Sequence, residues 1–188
     1  MLKHVLFIGA ILPFYLSAQS QMIVTDEQGS SVETELGYGY SVNKGSSLMR
    51  QVITLNDTLC PVQVVDITAE TTYADRKYRF KSKGWVNPKK PISAYEIHIV
   101  LYNVFAEHIK TLSMQDVSDL SSPVSVDGES GWYADENDVS EYLISVAYVA
   151  NVRTKDGQLW RYNYKAIEEE LAKLNIAFSE ENLPKKND

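Results

Sequence analysis

The chain has 188 residues, with 18 basic against 25 acidic side chains and a net charge of −7. That length suits one domain with a real core, and the acidic balance excludes a general attraction to nucleic acid or anionic lipid. A single cysteine, Cys60, excludes an intrachain disulfide, so burial must stabilise the fold unaided.

Lys3 and His4 precede the largely apolar run Val5–Leu16, and the small residues Ser17 and Ala18 are followed by polar Gln19-Ser20-Gln21. This is the layout of a secretory signal peptide covering residues 1–18. The apolar run, broken by Pro13, is shorter than the ~18–20 residues of a spanning helix. An uncleaved anchor is the alternative, because Leu16 stands where a small residue is usual. With residues 1–18 removed, no transmembrane span is expected, and the location is secreted or periplasmic.

Residues 19–46 are poor in apolar periodicity and hold Gly29, Gly37, Gly39 and Gly45. They are expected to form a flexible N-terminal arm, in which only Gln21–Thr25 resembles a strand. The Gly37–Tyr40 run fits a spacer or a binding loop.

From Ser47 the pattern becomes β. Alternation predicts strands over Leu48–Leu55 and Val62–Ile67, separated by a turn at Asn56-Asp57. Cys60 is expected as a small buried residue at the start of the second strand. Asn56-Asp57-Thr58 also fits an N-glycosylation acceptor. Lys77, Arg79, Lys81 and Lys83 alternate with Tyr78 and Phe80, a half-buried strand with one cationic face. Gly84 interrupts it before Trp85-Val86, and Pro88 and Pro91 frame a turn.

The longest strand signal follows, with Tyr95, Ile97, Ile99 and Leu101 on one face and Ala94, Glu96, His98, Val100 and Tyr102 on the other. A turn at 103–107 leads to a weaker strand over His108–Met114. In the simplest register Tyr102 opposes Glu107 and His98 faces Thr111. The two histidines then do not meet, which disfavours a two-histidine metal site. Residues 115–131 read as a long loop with a short strand near Val124–Val126, and Trp132-Tyr133 as the possible start of another. Asp135–Asp138 is an acidic turn. It could offer oxygens to Ca²⁺ but lacks the glycine and distal glutamate of a standard loop.

Glu141–Thr154 is the second long strand. Tyr142, Ile144, Val146 and Tyr148 face one way and Leu143, Ser145, Ala147 and Val149 the other. Asp156-Gly157 forms a hairpin turn into Leu159–Tyr162. Tyr164, Ile167, Leu171 and Leu174 then follow helical spacing, with Glu168–Glu170 expected in the first turns. The domain plan is a signal peptide (1–18), an arm (19–46), a β-sandwich (47–163) and a C-terminal helix with tail (164–188). The class is all-β and antiparallel, since no helices separate the strands.

The stretch Trp85-Val86-Asn87, Lys90–Ile97, Leu101-Tyr102-Asn103 and Glu107-His108-Ile109 resembles FxLYD-type bacterial immunoglobulin-like modules, over roughly residues 60–163. Asn103 stands where those have Asp, and Ala106 near the expected Gly. The resemblance implies an immunoglobulin-like sandwich with an accessory or binding role and no catalytic residue. Asp138–Ile144 is similar to the tyrosine corner of such folds, which gives Tyr142 a structural hydrogen bond.

No nucleophile elbow, zincin helix or phosphate loop occurs, and neither a metal nor a cofactor is expected. The ligand-facing candidates are Trp132 and Tyr133, in a polar glycine loop, and the cationic Lys77, Arg79 and Lys81. The bland alternative for the cations is an edge strand guarded by lysines. The sequence thus points to an exported non-enzymatic binding or assembly module of the cell envelope, with a protein or glycan partner. Its oligomeric state is open. The alternative is a secreted, hydrolase-like enzyme, which would require a cleft of clustered titratable residues. The positions of Trp132, Glu96 and His98 relative to any cleft discriminate between the two.

Overall fold

A computed structural model describes residues 20–31, 49–74, 77–103, 105–134 and 143–184, with the side chains of 29–31, 49, 68–80 and 128–134 excepted. The export segment 1–18, the Gly37–Tyr40 run, the acidic turn and Tyr142 lie outside the described residues. Among those described, no helix is long and apolar enough to cross a membrane.

The chain forms strands β1 (Met22–Ser31), β2 (Met49–Asp57), β3 (Val62–Ala74), β4 (Lys77–Pro88), β5 (Ile92–Tyr102), β6 (His108–Asp116), β7 (Val124–Ala134), β8 (Ile144–Thr154) and β9 (Leu159–Arg161). A helix, α1 (Tyr164–Lys173), and one 3-10 turn (Glu180–Asn182) follow. The larger sheet runs β1-β2-β8-β5-β6, with β9 paired to β8 beyond the end of β2; the smaller runs β3-β4-β7.

The fold is therefore mostly β, in two sheets. One pair departs from the expected antiparallel order: β2 runs parallel to β8, Gln51 opposite Ile144 through Leu55 opposite Tyr148. Parallel pairing requires a crossover, and here the chain visits the small sheet between the two strands. Within the predicted arm, the strand signal at Gln21–Thr25 extends to Ser31 as β1, paired with β2. The short strand at Val124 and the Trp132-Tyr133 segment belong to a single strand, β7.

The large sheet packs on both faces, on the outer one over only part of its extent. Its Ile97, Ile99, Leu101, Ala147, Val149 and Val152 pack against Val62, Val64, Ile67, Val86 and Val126 of the small sheet, with Cys60 among them. Its Ile53, Leu55, Val100, Tyr102, Val146 and Tyr148 pack against Ile167 and Leu171 of α1 and Ile176 and Phe178 of the tail. This double burial explains why β8 is apolar in both phases. It also places Cys60 as expected, and burial pushes its thiol up to about 12.

The local chemistry fixes the joints. Asn163 caps α1 by accepting from the Ala166 N–H. Asn175, at φ +60°, ends it with the Ile176 N–H bonding Leu171 O. Because the helix starts at Tyr164, its first turn holds no acidic residue and Glu168–Glu170 stand in the second. At the β8–β9 hairpin Gly157 has φ +88°, and the Asp156 carboxylate accepts the Thr154 hydroxyl, which lowers its pKa. Gly84 sits against a bulge in β3, and an added Cβ would lie 2.7 Å from Asp66 O and 2.8 Å from Ile67 Cα. The Asn56 side chain spans the two sheets like a short strand. Its amide donates to Val64 O at 2.8 Å and its oxygen accepts from Val64 N at 2.9 Å. Buried and doubly committed, Asn56 is no glycan acceptor in the folded protein.

Candidate functional site

Helix α1 and the tail cover only part of the large sheet's outer face. The uncovered part forms an open recess of about 1010 Å³, floored by β5, β6, β8 and β9 and rimmed by the tail residues Glu181–Pro184. Its floor is built in cross-strand rows. Pairing sets Arg161 opposite Asn151, Asn151 opposite Glu96, and Glu96 opposite Gln115, one polar row over four strands. The next row, toward α1, is Tyr148, His98 and Ser113. The row on the open side carries Leu159, Arg153 and Ala94.

Glu96 organises this floor. Its Oε1 accepts from His98 Nε2 at 3.0 Å, Ser113 Oγ at 2.8 Å and Gln115 Nε2 at 3.1 Å, and its Oε2 accepts from Asn151 Nδ2. Burial raises the carboxyl's pKa, but the four hydrogen bonds outweigh it and hold the group at about 2. It is a fixed anion.

His98 is buried, and burial lowers its pKa more than Glu96 raises it. The ring is therefore neutral, with its proton assigned to Nε2 facing the carboxylate. Nδ1 then accepts from the Tyr148 hydroxyl at 3.1 Å. Burial also raises the Tyr148 pKa, so that hydroxyl keeps its proton. Tyr162 lies beside the pair, its ring tilted by 50° and 5.2 Å from that of Tyr148, and lines the recess. At the far wall the Tyr95 hydroxyl is pushed up to about 12 by burial and by neighbouring Asp116.

The sequence-derived candidates lie elsewhere. Lys81 is on β4, the central strand of the small sheet and not a guarded edge. It stands opposite Glu70 on one side and Glu129 on the other, and Lys83 opposite Asp127, so acidic residues flank these lysines along the strand. Arg79 pairs in register with Tyr133, and Lys77 with Ala74. The side chains of Lys77, Arg79, Trp132 and Tyr133 are outside those described. Trp160 lines the recess while packing against the core between the sheets. Trp85 is half exposed on the outer face of the small sheet.

His98 faces Ser113, not Thr111, because Tyr102 pairs with His108 in place of Glu107 and the β5–β6 register shifts by one more residue between Leu101 and Tyr102. His108 bonds Thr111 instead. Of the recess residues, Glu96 and His98 are positions whose place relative to a cleft the sequence already made discriminating, whereas Asn151, Gln115, Arg153 and Arg161 are not among the sequence-derived candidates. The signal available was Glu96 and His98 lying in the same phase as Val100 and Tyr102: polar groups where an apolar stripe should continue.

Among the described residues, no cluster of three or more histidine, cysteine or acidic side chains could hold a metal ion. No family model matches the chain, and no curated protein or solved structure matches it either.

Proposed function

We propose that this protein is an exported, non-enzymatic binding module of the cell envelope whose recess takes a glycan. The observation that carries this reading is the Arg161–Asn151–Glu96–Gln115 row. It is a preorganised line of planar hydrogen-bonding groups about 4.8 Å apart from strand to strand. A row of fixed amides and a carboxylate beside a tyrosine ring suits a hydroxyl-rich ligand held by orientation as much as by area. The signal-peptide pattern of residues 1–18 supports export. The face-to-face sheets and the alternation of hairpins between them support kinship with immunoglobulin-like modules. The place of β8, between β2 and β5, departs from the order of those folds.

A secreted enzyme is the second reading, favoured by the Glu96–His98–Tyr148 chain in a cleft. Two facts weigh against it. A carboxylate held at about 2 is a poor base at neutral pH, and both nitrogens of His98 are already engaged.

The test is a glycan array followed by calorimetric titration of the chain lacking residues 1–18. The binding reading expects saturable binding, weakened about tenfold or more by Asn151→Ala, with the sugar recovered intact. Cleaved sugar would establish the enzyme instead, and no binding to any glycan would overturn the proposal.

A further inference from the structure

Two arginines stand on the recess floor. Arg153 stands opposite Leu159, and Arg161 opposite Asn151, on the two strands of the β8–β9 hairpin. They are therefore diagonal neighbours on one face, both exposed and both lining the recess. Neither guanidinium has an ion pair or hydrogen bond with a described residue, whereas the adjacent Lys155 is paired with Asp119 at 2.8 Å. The acids that share the recess are committed or across from the pair. Glu96 holds four donors, Asp116 takes Ser118 and Tyr95, and Glu181 belongs to the opposite rim.

Two like charges side by side on a sheet repel. Here they sit beside the inner row of Asn151 and Gln115 amides, whose Glu96 already holds four donors. A guanidinium fork fits a carboxylate with two parallel hydrogen bonds. A uronic acid carries a carboxylate and vicinal hydroxyls on one ring, matching the arginines at the lip and the Asn151–Glu96–Gln115 row within.

Resting on the glycan reading above, we infer that the ligand is an acidic sugar chain. Its carboxylate is clamped by Arg153 and Arg161, and its hydroxyls lie over Asn151, Glu96 and Gln115. The arginines make a local cationic lip on a protein of net charge −7, so recognition of the carboxylate is confined to this hairpin.

Calorimetric titration with tetragalacturonate and with a neutral galactan tetrasaccharide tests it, on the chain lacking residues 1–18. The acidic sugar should bind about tenfold or more tightly than the neutral one and weaken as salt is added. Arg153→Ala/Arg161→Ala should abolish that preference, the ratio of the two affinities in each protein being the readout. Both arginines are exposed, and an unchanged near-ultraviolet dichroism spectrum verifies the fold. Equal affinities for the two sugars, no salt dependence, or a preference that survives the double variant would each overturn the acidic-sugar inference while leaving the glycan reading standing. An oligoglutamate peptide that binds as tightly as the uronate would overturn the sugar assignment. Failure of both sugars together with an empty glycan array would overturn both.

Discussion

The Nε2 atom of His98 lies 3.0 Å from Oε1 of Glu96, at the boundary between the covered and open halves of the large sheet's outer face. On one side of this contact Tyr148 and Tyr102 are sealed beneath α1 and the tail; on the other, Asn151 and Gln115 face the recess. The pair thus lets a sheet that is apolar through its centre end in a polar floor with both ring nitrogens and both carboxylate oxygens bonded, while the buried Tyr102 hydroxyl on the covered side has no partner among the described residues. The same hydrogen bonds that fix the floor for a ligand also set how the fold responds to acid.

That response has a definite sign. Glu96 is held at about 2, below its ordinary 4.5, so its contribution to stability is complete above about 4.5 and is lost as pH falls toward 2. His98 is held below its ordinary 6.5 by burial, so unfolding takes up a proton at its ring as pH falls below 6.5. Thermal melts across this range should show stability declining in two limbs. His98→Gln should flatten the upper limb. Glu96→Gln should flatten the lower one and cost ~1–3 kcal/mol at neutral pH. A melting temperature unchanged from neutral pH to below 4.5 would contradict this account of the pair.

Gly84 is a position where no side chain fits. A Cβ there would meet Ile67 Cδ1 at 2.5 Å, Asp66 O at 2.7 Å and Ile67 Cα at 2.8 Å, and two of these three atoms are backbone. The bulge in β3 that creates the close approach carries Asp66 at φ +51° and cannot relax without breaking the β3–β4 register. Gly84→Ala should therefore destabilise the protein by ~2 kcal/mol or more in chemical denaturation. An equivalent change at Gly157, where a Cβ meets nothing within 4 Å, should cost only the strain of its φ of +88°.

Much of the fold is legible in the chain because each strand carries its own alternation. The two faces of β5 and β8 follow directly from Tyr95–Tyr102 and Leu143–Val149, and the Asp156-Gly157 turn and the stripe Ile167/Leu171 are local signals as well. What is not legible depends on partners distant in sequence. Lys81 looks like part of a free cationic face until Glu70 and Glu129 arrive on separate strands. β2 looks like any antiparallel strand until β8 takes the position beside it. The recess floor draws on two hairpins, β5–β6 and β8–β9, and the β5–β6 register shift that helps align His98 with Ser113 is not marked by any Gly or Pro. A site made by register is invisible to motifs, although a glutamate and a histidine in an apolar phase mark where to look.

Asn56 is the one side chain that bonds the backbone of the opposite sheet, among the described residues, through both ends of its amide. Removing it leaves the Val64 N–H and C=O buried without partners, each at a desolvation cost of ~1–3 kcal/mol. Asn56→Ala should therefore lower stability by ~2–4 kcal/mol, measured in urea. Asn56→Asp should also destabilise, since a carboxylate cannot donate to Val64 O. Amide exchange should locate the damage: the Val64 N–H, protected in the native protein, should exchange faster in either variant.

Leu171 tests whether the C-terminal segment is a structural layer or an accessory. It is fully buried, with Ile167, against Val146, Tyr148 and Tyr102 of the large sheet. Leu171→Ala should cost ~2–5 kcal/mol, as for a large-to-small change in a packed core. The loss should extend beyond α1. The tail that follows the helix forms one rim of the recess, and the Thr111 hydroxyl bonds Asn182 O there. If the helix is a layer of the fold, the variant should melt in a single transition at lower temperature. If helix dichroism is lost first while the sheet persists, α1 is an appendage, and the large sheet is stable with its outer face bare.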